Sequence, residues 1–121
     1  MAGSSLIELP LPDHRPSPFP FNPSYSLLFG TRYFRWGLHR VHRRGTPLIL
    51  LFHLTDLSEP MPANRLTGWK SRIFTLSNLS GPTKLARCQK MLDLIRERFR
   101  ILTTQDLIDE WRAQHFAAKA Q

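Results

Sequence analysis

Two patterns of apolar residues organise this chain. One is continuous: Pro47-Leu48-Ile49-Leu50-Leu51-Phe52 runs without a polar break and then meets His53, Leu54, Thr55 and Asp56. A short apolar run between turn signals reads as a strand buried on both faces, the kind found in parallel sheets. The other pattern is helical. Leu27, Leu28, Phe34, Leu38 and Val41 recur at helical spacing and predict a helix over 30–44, stopped by Gly45, with arginines crowding its carboxyl end. Leu85, Cys88, Leu92, Ile95 and Phe99 predict a helix over 82–98, with Pro82 tolerated in its first turn. Leu107, Ile108, Trp111 and Ala118 predict a last helix through 118, opened by a capping box of Thr103 and Asp106.

The remaining segments complete the outline. Leu6–Leu11 reads as a short strand ended by proline, and residues 100–103 as another. Residues 12–29 form a proline-rich stretch in which Phe19 and Phe21 are interleaved, the pattern of an extended loop packed on a surface. Residues 55–81 read as one long polar loop, a length that is uncommon without a task. The expected order is strand, loop, helix, strand, long loop, helix, strand, helix, which points to an α/β fold occupying 1–121 as a single domain. Three short parallel strands with open edges leave apolar surface uncovered, so a partner or a second copy of the chain is expected.

Size and charge narrow this outline. With 121 residues the chain is too short for a full barrel of roughly 250 residues. No segment approaches the roughly 18 apolar residues of a membrane span, and the amino terminus lacks the features of a secretory signal, so a cytoplasmic protein without a membrane partner is expected. Cys88 is the only cysteine, which excludes an internal disulfide and a cysteine-based zinc site. The net charge of +8 favours anionic partners, and Arg32, Arg35, Arg40, Arg43 and Arg44 lie together in the predicted helix.

Groups able to do chemistry are few. His53 ends the apolar run, where α/β folds place their catalytic loops, and an imidazole there could act as general acid or base. Asp56 could orient that imidazole or cap the turn. His39 and His42 share a helix face, but four arginines surround them and no carboxylate is near, so they make a poor metal pair. Glycine-rich phosphate loops and a Gly-x-Ser-x-Gly elbow are absent, and Asp109-Glu110 is the only carboxylate pair.

Three stretches together resemble the carboxyl-terminal part of the polysaccharide deacetylases, the NodB-homology carbohydrate esterases. They are Ile7-Glu8-Leu9-Pro10, then Gly45-Thr46-Pro47 through Leu51-Phe52-His53 to Asp56, and Lys84-Leu85 through Leu94 followed by Phe99-Arg100-Ile101-Leu102-Thr103-Thr104. The resemblance implies about the last third of a distorted, partial (β/α) barrel. It also implies hydrolysis of acetyl groups from a polysaccharide, with His53 as general acid and Leu51 lining the acetyl pocket. The family's Thr-Phe-Asp-Asp and His-x-x-x-His motifs, which supply base and metal ligands, have no counterpart here. The divalent metal, usually zinc, is therefore expected only with a missing amino-terminal half, and the chain alone is expected to be inactive. The alternative is a non-catalytic basic module that holds nucleic acid or acidic polymer on helix 30–44.

Overall fold

The computed structural model describes residues 6–12, 15 and 17–119, so residues 1–5 of the first expected strand, part of the proline-rich stretch and the side chain of Ala118 lie outside the described set. Among the described residues six α-helices follow one another: α1 (Pro23–Phe29), α2 (Thr31–Arg44), α3 (Leu54–Leu57), α4 (Gly68–Phe74), α5 (Gly81–Arg96) and α6 (Thr104–Lys119). A 3-10 turn at Ala63–Arg65 lies between α3 and α4.

The expected α/β partial barrel is not formed. Among the described residues there is no strand and no sheet. Residues 46–53 and 100–103 are extended, but a strand exists only through the backbone of a neighbour, and among the described residues no other segment pairs with them as a ladder. The expected burial on both faces fails with it. Leu48 and Leu50 pack on the core, while Leu51, Phe52 and His53 are exposed. Leu6–Leu11 is likewise irregular, and the expected long loop over 55–81 holds α4, most of α3 and the 3-10 turn.

Helical expectations fare differently, because local signals suffice for them. α2 ends where Gly45 adopts the left-handed conformation (φ 64°), its N–H returning to the His42 carbonyl. Ser80 caps α5, with Pro82 in the first turn, where no amide is needed. Thr103 Oγ1 accepts from the Asp106 N–H at 3.1 Å at the start of α6. One helix was hidden in the proline-rich stretch: Pro23 sits at the first turn of α1, and Asn22 Oδ1 accepts from the Tyr25 N–H at 3.0 Å. Proline density argues against helix interiors and not against helix beginnings.

The core lies among α1, α2 and α5. Leu27, Phe34, Leu38 and Val41 meet Cys88, Met91, Leu94 and Ile95, and Phe21 joins them from the loop. Each large side chain so buried contributes about 1.5–3 kcal/mol. Arg87 of α5 donates to the Leu27 carbonyl and ties α5 to α1. Gly37 lets the Phe21 ring lie directly on α2, since a Cβ at 37 would overlap that ring. No helix among the described residues is long and apolar enough to cross a membrane.

Gly37→Ala should therefore destabilise the protein by about 1–3 kcal/mol despite the better helix propensity of alanine. Thermal unfolding checks this, with an unchanged or raised Tm as the contrary result.

Candidate functional site

His53 sits at the N-cap of α3, and the turn that carries it is held from below. Asp56 is withdrawn from solvent (0% exposed), and its Oδ2 accepts from the His53 backbone N–H at 2.8 Å. Ser24, in the first turn of α1, donates its hydroxyl proton to Asp56 Oδ1 at 2.7 Å. The Ser24 oxygen also lies 3.1 Å from His53 Nδ1. Serine has one proton, and it goes to the Asp56 carboxylate, so the contact to Nδ1 is a hydrogen bond in the tautomer that carries its proton there. In that tautomer a relay runs from His53 Nδ1–H to Ser24 Oγ–H to Asp56.

This order decides the chemistry. In a nucleophilic triad the histidine takes the serine proton and the carboxylate orients the histidine. Here the serine proton is committed to Asp56, and His53 Nδ1 stands 3.7 Å from Asp56 Oδ2. Ser24 is thus a spacer and not a nucleophile. His53 Nε2 is left without a hydrogen-bond partner among the described residues, on a side chain that is 62% exposed. A ring fixed through one nitrogen and open at the other is suited to proton transfer.

Lys84 braces the same turn. It is fully buried in α5, and its Nζ donates to the carbonyls of Thr55 and Ser58, each at 2.9 Å. Burial pulls its pKa below the ordinary 10.5, against the opposing pull of Asp56 and Glu59. Glu59 in turn accepts from the Gly81 N–H at 3.2 Å, and a Cβ at 81 would overlap its carboxylate. Cys88 lies below with Sγ 3.9 Å from the Asp56 carbonyl oxygen, and burial, aided by Asp56, pushes its thiol pKa up.

His53 borders a cavity of about 650 Å³ shared by α1, α3 and α4. Tyr25, Leu28, Trp69, Ile73 and Phe74 give it an apolar and aromatic wall, and Asn22 and Lys70 add polar groups. Trp69 and Phe74 are 68% and 90% exposed, and the Lys70 ammonium stands over the Trp69 ring, 5.8 Å from its centroid. Leu76, buried on the same wall, holds a left-handed backbone (φ 54°) that costs a non-glycine residue about 1–2 kcal/mol.

Of the residues singled out by sequence, His53 and Asp56 are brought together, and Asp56 both caps the turn and supports the imidazole through Ser24. Leu51 is not at this cavity. It is 56% exposed on the preceding extended segment. His39 and His42 lie elsewhere, His39 Nδ1 beside Arg98 at 3.3 Å and the His42 ring against Phe99. Ser24, Trp69 and Lys84 escape sequence reasoning. Ser24 falls in the stretch read as a proline-rich loop, Trp69 in the one read as a long polar loop, and Lys84 in a predicted helix with no role of its own.

A divalent metal does not fit the chain as described. Among the described residues no group of three or more histidine, cysteine, aspartate or glutamate side chains comes together, and the Asp56 carboxylate is already engaged by Ser24 and the His53 amide. No family model, curated protein or solved structure matches the chain.

The lowered pKa of Lys84 has a definite sign in stability. Between the lowered folded value and 10.5 the unfolded chain binds more protons than the folded one, so stability rises with pH in that window. The raised thiol of Cys88 acts oppositely, losing stability as pH climbs past 9.0. Denaturant unfolding of the protein and of Lys84→Met across this range isolates the lysine. The rising contribution should be missing from the variant, and parallel curves would contradict the assignment.

Proposed function

We propose that this chain supplies the proton-transfer and sugar-binding side of a carbohydrate deacetylase. The observation that carries the reading is the His53–Ser24–Asp56 relay beside an aromatic cavity. An exposed indole and phenyl ring offer flat apolar faces to a pyranose ring, while Asn22 and Lys70 offer hydrogen bonds to its substituents. As the acyl C–N bond breaks, His53 Nε2 gives its proton to the departing sugar nitrogen. Nδ1–H stays on Ser24, and the Asp56 carboxylate stabilises the charged ring beforehand. Leu54, at the mouth of the same cavity, takes the apolar position that the resemblance assigns to Leu51. The hydrolytic water and its base are outside this set of residues, so the chain acts as one component of the enzyme.

The purified chain should bind N-acetylated chito-oligosaccharide with a change in tryptophan fluorescence that Trp69→Ala removes, and should release no acetate by itself. Lack of binding at tens of millimolar sugar counts against the reading (weak single-module sugar affinities reach roughly that range). Acetate release by the chain alone that His53→Ala abolishes would place the whole reaction here and overturn it.

A second reading draws on α2, where Arg32, Arg35 and Arg43 are exposed and Arg40 is set apart, its guanidinium 4.9 Å over the Trp36 ring. Binding of nucleic acid or acidic polymer to that face should fall steeply with salt. Changing Arg32, Arg35 and Arg43 to glutamate should abolish it, and a flat salt response excludes it.

A further inference from the structure

The extended run Thr46–Phe52 carries a second message, independent of the His53 cavity. None of its backbone N–H or C=O groups is hydrogen-bonded to another described residue, and the same is true of Arg100–Leu102. Both segments border a second cavity of about 650 Å³, with Ile49, Leu50, Phe52, Leu92 and Ile101 among its apolar lining. Loops exposed to water are seldom built from five consecutive large apolar residues.

Two properties of this trough define its occupant. The first is the free main chain on its borders. A helix would satisfy its own amides and leave these groups unpaired, whereas an extended chain would bond to them. The second is charge. Among the described lining residues the ionisable side chains are His42, Arg98 and Arg100, Arg43 follows at the end of α2, and Glu110 of α6 is engaged by Arg100. Arg100 is held at 2.7 Å by Glu110 of α6, which fixes its guanidinium at the rim. A second copy of the chain, itself at +8, would be repelled.

We infer that the trough receives an extended acidic segment of another polypeptide. It pairs with the main chain of Thr46–Phe52 and seats alternate apolar side chains between that run and residues 99–103. Acidic residues at its ends meet Arg98 and the last turn of α2. The sheet interactions missing from the free chain are then formed across the interface.

The probe is a synthetic peptide, Glu-Glu-Val-Thr-Val-Thr-Val-Glu-Glu, added at millimolar concentration to the full chain. Amide hydrogen exchange at Leu48–Phe52 should be fast in the free protein and slow by roughly tenfold or more with the peptide. A peptide with lysine in place of the glutamates should give no protection. An N-methylated version, which cannot pair, should bind roughly tenfold more weakly or not at all. In the protein, Leu51→Pro should remove the protection while leaving the Tm near its original value, since the lost N–H bonds to nothing in the free chain. Unchanged exchange overturns the inference, as does equal binding of the lysine or N-methylated peptide. Protection that grows with protein concentration alone would overturn it in favour of a second copy.

Discussion

Burial of Asp56 and Lys84 in one small volume is the constraint on which the rest of this molecule depends. Neither side chain touches solvent, and each is committed to the same turn. Asp56 gathers the Ser24 hydroxyl and the His53 amide, while Lys84 takes the carbonyls on either side of it. Charges withdrawn from water cost more than hydrophobic side chains of equal volume, and the lowered pKa of Lys84 records that cost. In return the turn between the extended run and α3 has a single arrangement. α1 and α5, distant in sequence, are both bound to it.

That rigidity is what gives His53 a defined orientation despite its exposure. An imidazole on a free loop would sample many orientations, whereas this one is held through Nδ1 by a hydroxyl that is itself held by a buried carboxylate. The arrangement borrows the residue types of a hydrolase triad and reverses the direction of the serine proton. Proton transfer through Nε2 is supported, and nucleophilic attack by Ser24 is not.

The molecule also leaves large apolar surfaces uncovered, in two separate places. Trp69 and Phe74 stand at the His53 cavity, and Phe52 and Ile101 stand by the basic trough. The first surface adjoins hydrogen-bonding side chains and suits a small polar ligand with flat apolar faces. The second adjoins unpaired main chain and suits a polypeptide. Uncovered apolar surfaces of this kind are where soluble domains meet ligands and other chains.

What the sequence determined by itself was local. The stop of α2 at Gly45, the starts of α5 and α6 and the place of Cys88 in the core follow from caps, φ preferences and spacing within a few residues. His53 and Asp56 could be paired from their separation of three positions. Tertiary structure decided everything that needed a distant partner. The apolar run became an unpaired extended segment, because apolar periodicity records burial but not whether a second backbone lies alongside. Ser24 entered the site from 29 residues away, and Lys84 was buried by two carbonyls that no pattern in its own helix announces. Helices close their hydrogen bonds within themselves, whereas strands and polar clusters close theirs across space, and only the folded chain says what is there to meet them.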